Sequence, residues 1–451
     1  MKESKFALEE TMRVLLEGKK YATLRDVLST MNPADIAALF EAMAEQRLPL
    51  LFRLLLKELA AETFVEMEPE SQELLIRGFS DNELREVVSE LYVDDAVDIV
   101  EEMPANVVRR ILRQADPEMR KMINEILNYP EDSAGSIMTT EYVRLRPDMS
   151  VEDAIKHLRR TGLDKETIYT CYVTNEGSKL IGFLSLKVLL TSHDEDLIGE
   201  IMDENIISVK TTDDQEEVAQ LLQRYSFVAL PVVDKENRLV GIVTIDDAMD
   251  VIEEETTEDI EKMAGINPTD KDYIRTSVWE LWKSRIPWLL FLMLSATVSS
   301  LILSHFENAL ASVMGLTFFI PMLMGTGGNA GGQASGTVIR AIALNTITFR
   351  DLLRVIWKEL RVSLLCSLTL AAACFLKILF IDQMELSIAI TVSITLAATV
   401  IIAKLVGGSL PILAEKIGLD PAVLSSPIIS TIVDAISLII YFAVATHVLG
   451  L

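Results

Sequence analysis

Cysteine, histidine and positive charge are what this 451-residue chain is short of. Three cysteines, Cys171, Cys366 and Cys374, suggest neither a disulfide framework nor a zinc site. Cys366 and Cys374 lie two helical turns apart in an apolar run, where packing accounts for them. The four histidines, His157, His193, His305 and His447, are scattered, and no G-x-x-x-x-G-K-[ST] loop occurs. Neither catalytic machinery nor an ATP-driven pump is therefore visible, and the chain reads as not an enzyme. The opening MKESKFALEE lacks the apolar core and small-residue cleavage site of a signal peptide, which predicts a cytoplasmic N-terminus. With 41 Lys and Arg against 67 Asp and Glu, a net charge of −26, nucleic acid is excluded as a partner and cations are attracted.

A mean hydropathy of +0.31 beside that charge requires the two properties to be segregated. From Arg285 onward there are 8 acids and 9 bases, so 59 of the acids and 32 of the bases fall in the first 284 residues, a net of −27 there. The first part is an acidic soluble body. The second contains stretches that fit the roughly 20 apolar residues of a membrane-spanning helix. Ile286 to Ser304 and Asn308 to Ile339 carry no charge; Val362 to Ile381 has only Lys377, Leu386 to Ala414 only Lys404, and Ala422 to the C-terminus only Asp434. Five spans are predicted. Basic residues gather before the first (Arg275, Lys283, Arg285) and between the second and third (Arg340, Arg350, Arg354, Lys358, Arg361), while the connections at Glu307 and at Asp382 and Glu385 are acidic. The positive-inside rule then places the N-terminus in the cytoplasm and the C-terminus outside, in a multi-pass plasma-membrane protein. Trp279, Trp282 and Trp288 at the first span suit an interfacial belt or a structural role.

Two spans are more than anchors. PMLMGTGGNAGGQASG, from Pro321 to Gly336, has too many glycines to predict an unbroken helix. Its freed backbone needs protein or a wet cavity around it; the other reading is close helix packing by small residues. Asn329 and Gln333, at i and i+4, point to a polar lining. In the last span Ser426, Ser430, Asp434, Ser437 and Tyr441 fall on one helical face, predicted to be wet. An Asp at the centre of a span costs about 3 kcal/mol to insert, which marks Asp434 as functional. Its alternatives are an ion pair with Lys377 or Lys404 that locks the bundle, or an anionic ring in a cation path.

The acidic body has two parts. Residues 1–130 read as short amphipathic helices, with DIAALFEAM from Asp35 and DAVDIVEEM from Asp95 sharing their spacing, and predict an all-α helical solenoid. Farther on the chain repeats itself: IMTTEYVRLRPDMSVEDAIKHL from Ile137 matches IMDENIISVKTTDDQEEVAQLL from Ile201, and LIGFLSLKVLL from Leu180 matches LVGIVTIDDAM from Leu239. These units resemble paired α/β cystathionine-β-synthase (CBS) domains, placed at 131–200 and 201–252. In such pairs a turn G-x-x-[ST]-x-x-D holds a nucleotide ribose; Gly241, Thr244 and Asp247 fit it, whereas Gly182 and Ser185 are followed by Val188. Residues 253–284 form a long acidic linking (plug) helix and the approach to the membrane, ended by Asn267-Pro268, and 285–451 a five-helix transmembrane domain.

The order of acidic helical domain, CBS pair, linking helix and spans carrying G-T-G-G-N-x-G-x-Q at Gly325 to Gln333, D-P-A-x-x-x-x-P at Asp420 to Pro427 and then Asp434 resembles the MgtE family of magnesium channels. The resemblance covers essentially the whole chain. It implies a homodimer with a pore on the twofold axis, in which Asp434 of each subunit binds hydrated Mg2+, and cytoplasmic domains that close the pore when Mg2+ gathers between acidic faces. The residues matching the family's cytoplasmic metal positions are Glu62, Asp94, Asp98, Glu216, Asp247, Asp250, Glu255, Glu258, Asp259 and Asp420, while Ser226 stands where relatives carry an acid. ATP at the CBS pair is a further cofactor that the resemblance allows. The competing reading is a broader divalent-cation carrier, passing Co2+ or Ni2+ and regulated by nucleotide; against softer metals, no Cys, His or Met cluster lines the last span.

Overall fold

The computed structural model describes residues 2–43, 47–269, 273–274, 276–307, 313–424 and 426–449, which divide into two compact units, Met1–Ile252 and Glu253–Leu451. Arg275 and residues 308–312, which belong to the expectations above, lie outside the described residues.

Among the described residues ten helices, α1 (Lys2–Glu17) to α10 (Pro117–Ile126), open the first unit. Helices α3 (Pro33–Glu41), α5 (Lys57–Val65), α7 (Asp81–Val88) and α9 (Ala105–Gln114) begin twenty-four residues apart, and so do α6 (Pro69–Gly78), α8 (Val93–Glu102) and α10. Each packs on the next but one, α3 on α5, α5 on α7, α7 on α9 and α8 on α10, so the chain alternates between two rows. This is the expected solenoid, with a period that the apolar pattern alone did not disclose. Phe40, Phe64 and Val88, also twenty-four residues apart, are buried in one core. Local chemistry fixes the helix starts. The Asn32 side chain accepts the Ala34 N–H, and Ser80 with Glu83 closes a capping box on α7. The similar segments at Asp35 and Asp95 lie on α3 and α8, in different rows, so their likeness reflects amphipathic helix in general and not the repeat.

The CBS pair is built twice over. Strands β1 (Val143–Leu145), β2 (Thr170–Thr174) and β3 (Leu180–Ser185) form one sheet, and β4 (Val209–Lys210), β5 (Ala229–Val233) and β6 (Leu239–Thr244) the other. In each the first two strands are parallel, the last two antiparallel, and the middle strand carries an irregularity at the same place, Val173/Thr174 and Val232/Val233. The halves clasp reciprocally: Leu180 N–H donates to Asn237 O at 3.1 Å and Leu239 N–H to Ser178 O at 3.0 Å. Gly241 is required here, since a Cβ would stand 2.8 Å from the Thr139 carbonyl of the opposite repeat. Around these sheets lie α11 (Val151–Thr161), α12 (Leu186–Thr191), α13 (Ile198–Ile201) and α14 (Gln215–Tyr225). The linking helix, α15, starts earlier than expected: it runs unbroken from Ile245, directly off β6, to Met263. Gly265, at a φ of 71°, ends it.

The second unit contains α16 (Val278–His305), α17 (Ile320–Ala343), α18 (Leu352–Phe380), α19 (Leu386–Lys416) and α20 (Ser426–Leu449). Among the described residues four segments are long and apolar enough to cross a membrane, Val278–His305, Phe349–Phe380, Leu386–Lys416 and Ser426–Leu449. The remaining expected span, α17, is glycine-rich and packs against α19 and α20. Two expectations about it are corrected. Its helix begins only at Ile320, because Pro321 sits in the first turn, where no N–H is needed. It is also unbroken, because neighbouring side chains fill the space its glycines leave. A Cβ on Gly327 would stand 2.7 Å from Thr399 Cγ2 and 2.8 Å from Val433 Cγ1, and one on Gly407 would collide with the Gly331 carbonyl. Close packing by small residues is the reading that holds. The last helix is likewise shorter than its apolar run: Pro421–Leu424 forms a 3-10 turn and Pro427 lies in the first turn of α20, so it frees no interior carbonyl.

Gly325 on the same helix has nothing within 4 Å of an added Cβ. We expect Gly327→Ala to lower stability by about 1–3 kcal/mol, the usual cost of overpacking, and Gly325→Ala to leave it unchanged or slightly higher. Thermal melting of the full chain in detergent, read by loss of the monodisperse peak, separates the two.

Candidate functional site

Asp434 lies in the third turn of α20 and is half-buried. Among the described residues it takes no hydrogen bond or ion pair. The proposed locks are otherwise disposed: Lys377 Nζ is 2.6 Å from Asp382 Oδ2, and Lys404, 6 % exposed, has no partner among the described residues. The wet stripe is corrected in its upper half. Ser437 Oγ donates to the Val433 carbonyl at 2.6 Å, and the Tyr441 hydroxyl donates to the Leu316 carbonyl at 2.8 Å; both side chains are buried. The Tyr441 bond ties this half of α20 to the 3-10 turn Met314–Phe319 that precedes α17. The lower half stays open, with Ser426 exposed and Ser430 and Asp434 half-buried. Glycines of α17 make room for these hydroxyls: a Cβ on Gly328 would be 2.9 Å from Ser430 Oγ, and one on Gly332 2.6 Å from Ser426 Oγ. Asn329 and Gln333 are exposed on α17 together with Gly325 and Thr337, one polar face of a helix whose other face is buried.

The first unit holds a second grouping. Asp94, Asp95 and Asp98 stand on α8, and electrostatic repulsion links them to Asp247, Asp246, Glu141 and Glu166. Glu141 Oε2 accepts the Val93 N–H at 3.0 Å, which fastens it to the start of α8. Asp94 is 5 % exposed, and its Oδ1, like Glu166 Oε2, is buried without a hydrogen-bond partner among the described residues. Burial first, and Asp247 next, raise the Asp94 carboxyl well above the usual carboxylate range. Burial and neighbouring acids likewise push Asp95 up to about 7 and Glu166 to about 8. Asp247 rises to about 6, chiefly through burial and despite the Thr244 hydroxyl that donates to its Oδ2 at 2.6 Å. Asp98, whose side chain is exposed, also rises, through desolvation first and repulsion from Asp247 next. Crowded, under-bonded carboxylates of this kind need a proton or a cation.

The other expected acids are placed differently. Glu62 is exposed on α5 and has no hydrogen-bond or ion-pair partner among the described residues. Glu216, on the first turn of α14, accepts the Gln220 side-chain amide at 3.0 Å. Asp250 is exposed on α15 and adds to the repulsion on Asp247. Ser226 ends α14 in a left-handed conformation, φ 54°, a backbone role. Within the second unit, Glu255 is half-buried on α15, and Glu258 and Asp420 are bridged by a lysine. Lys262 Nζ lies 2.8 Å from Glu258 Oε1 and 2.8 Å from Asp420 Oδ2. Asp259 is raised by burial and then by Asp420, against the pull of Lys262 and Arg340. Among the described residues no three of these groups converge as a ready-made metal cage. Sequence reasoning missed Asp95, Asp246, Glu141, Glu166 and Lys262. Their signals were slight: two more acids in runs of acids, two in loops far along the chain, and a lysine one turn after Glu258.

Because the cluster on α8 binds protons more tightly folded than unfolded, where Asp titrates near 4, its stabilisation is complete below about pH 4 and is lost as pH rises through about 6 to 8. In EDTA the melting temperature of the full chain should therefore fall across that window. Millimolar Mg2+ should remove most of the fall, and Asp94→Asn should flatten it without Mg2+. A melting temperature independent of pH from 6 to 8 in EDTA would contradict this assignment.

Residues 320–444 match the family described as Divalent cation transporter, residues 31–132 the MgtE intracellular N domain, and residues 134–193 and 198–254 the CBS domain. Magnesium transporter MgtE of Thermus thermophilus is 40 % identical over 447 residues, 97 % of this chain and 98 % of that protein. Magnesium transporter MgtE of Bacillus subtilis is 33 % identical over 96 % of this chain and 95 % of its own length. Among solved structures, the cytosolic domain of the Mg2+ channel MgtE in complex with ATP is 38 % identical, with a TM-score of 0.52, over 54 % of this chain and 99 % of that one.

Proposed function

The chain belongs to the MgtE family of magnesium transporters, and on that premise we propose that it conducts Mg2+ across the cell membrane with Asp434 as the ion-binding carboxylate. The observation that carries this reading is that Asp434 sits on an apolar helix, half-buried, with no partner among the described residues. Mg2+ demands octahedral oxygen coordination and sheds water reluctantly, so a carboxylate gripping the hydrated ion makes a site that the ion can leave. Ser426, Ser430, Asn329 and Gln333 supply further contacts to the water shell. The polar face of α17 in hydrocarbon would be costly, which favours a second copy completing a water-filled path on a twofold axis. A homodimer would bring two Asp434 carboxylates to one ion. All five helices of the second unit then span the bilayer, with the N-terminus in the cytoplasm and the C-terminus outside, as Arg340 in the last turn of α17, Arg350 in the connection and Arg354, Lys358 and Arg361 in the first turns of α18 favour.

The same reading gives the acidic groupings a role as sensors. Their donors are all oxygen, the set that suits Mg2+. The ion relieves repulsion around Asp94, Asp98 and Asp247 in the first unit, and acts at Glu258, Asp259 and Asp420 in the second; Glu62, Glu216, Asp250 and Glu255 add to the charge that draws it. High cytoplasmic Mg2+ favours the compact, closed state and low Mg2+ an open one. ATP at the CBS pair is a second ligand in this reading. It is supported by the ATP complex of the related cytosolic domain and by Gly241, Thr244 and Asp247.

Asp434→Ala should reduce Mg2+ uptake into proteoliposomes to the background of empty vesicles while the protein still elutes as a single folded species. Uptake at the wild-type rate would refute the pore assignment. Lys262→Gln leaves Glu258 and Asp420 facing each other without their cation, so the protection of residues 253–269 from protease should become more dependent on Mg2+ than in the parent. Unchanged dependence would show that Lys262 has no part in the sensor.

A further inference from the structure

A cleft of about 370 Å3 opens beside α16 in the second unit, lined by Asn267, Pro287, Trp288, Phe291, Val423 and Ile428. Its walls are mostly apolar, and its volume is at the small end of ligand pockets. Asn267 anchors one side: its N–H donates to the Ser284 carbonyl at 2.9 Å, and its Oδ1 accepts the Trp288 indole N–H at 2.9 Å. The opposite wall comes from the 3-10 turn before α20 and from the first turn of α20 itself. The cleft therefore touches the segment between Asp420 and the helix that carries Asp434.

What surrounds it says what it takes. Trp279 and Trp282, 69 % and 50 % exposed, cross edge to face one to two turns before Pro287, at the level where aromatic side chains mark the headgroup layer. Lys283 and Arg285 flank Ser284 on the turn between those tryptophans and the cleft; both are exposed, and neither has an ion-pair or hydrogen-bond partner among the described residues. The acid on that stripe, Glu280, is turned back onto the Ser277 N–H in the capping box that starts α16. Two cations without an ion-pair partner among the described residues thus lie on the turn of α16 that precedes an apolar slot, one on either flank of it. Beyond the slot, Leu290 and Leu294 continue the exposed apolar surface of α16.

We propose that the cleft is a binding site for an anionic phospholipid, whose phosphate is held by Lys283 and Arg285 and one of whose acyl chains fills the space between Trp288 and Ile428. The lipid braces the turn from which α20 starts. The inference depends on the helices being embedded in a membrane and is independent of which ion the protein carries.

The test uses the full chain in nanodiscs, with phosphatidylglycerol or phosphatidylcholine brominated on the acyl chains. Quenching of Trp288 is read as the difference between the parent and Trp288→Phe. Attraction of about 1 kcal/mol per basic residue near the surface predicts that half-quenching needs roughly tenfold to thirtyfold less phosphatidylglycerol than phosphatidylcholine. Lys283→Gln with Arg285→Gln should abolish that preference and leave the elution profile of the folded protein unchanged. Equal quenching by both lipids, unaffected by the double substitution, would mean that only bulk annular lipid contacts the cleft and would overturn the site. So would absence of quenching together with a disulfide between two copies of Ile428→Cys, since a second copy of the chain would then cover it.

Discussion

The second unit is organised by how near two helix backbones approach. Where Gly407 of α19 meets the Gly331 carbonyl of α17, no side chain fits between them, and Val433 and Thr399 close over Gly327 in the same way. In a bilayer apolar side chains gain little by leaving lipid, so association rests on dispersion contacts that only small residues allow at this range. The spacing decides what else is accessible. It buries one face of α17, leaves Asn329 and Gln333 on the other, and seats the Ser426 and Ser430 hydroxyls against Gly332 and Gly328. Asp434 is then half-open, with no partner to neutralise it among the described residues, on a helix whose upper half is tied down by the bond from Tyr441 to the Leu316 carbonyl.

In the first unit the governing fact is a surplus of carboxylates brought too near one another. Asp94 loses water and receives no donor at Oδ1 among the described residues, and Asp247, its main electrostatic opponent, is held in place by Thr244. Burying unpaired charge costs more than a surface ion pair returns. Such a grouping persists only because the apolar contacts of α8, through Val93, Val97 and Val100, hold it there. The second unit meets the same difficulty differently, by placing the Lys262 ammonium between Glu258 and Asp420. One grouping is left in want of a cation and the other carries its own.

Much of this was legible in the sequence. Of the five spans expected from apolar length, four recur among the described residues as helices long and apolar enough to cross a membrane, and the CBS pair follows from a repeat whose matching strands share register and irregularity. Asp434 stood out because an acid inside a span is costly to insert, and the structure leaves it half-buried without a partner among the described residues. What escaped depended on distant partners. Glycines that appear to break a helix are read correctly only when Thr399 and Val433, far along the chain, are known to lie against them. Tyr441 looked wet because its partner is a backbone carbonyl 125 residues away, which periodicity does not register. The solenoid's period was hidden because buried positions accept Phe or Val alike, as at Phe40, Phe64 and Val88. Glu166 and Glu141 reach the acidic cluster from loops, where sequence spacing says nothing of spatial neighbours.

The alternation of α3 to α10 has a mechanical consequence. Each helix touches mainly the next of its own row and those adjoining it, so the array behaves as a one-dimensional stack in which a disturbance is passed from neighbour to neighbour and not shared across a common centre. A change of charge at α8 is felt first by α10 and the helices beside it, and weakens with each unit towards α1. Such an array is compliant along its length and stiff across it. It converts a small local rearrangement at one end into bending, as a leaf spring does, without any of its members unfolding.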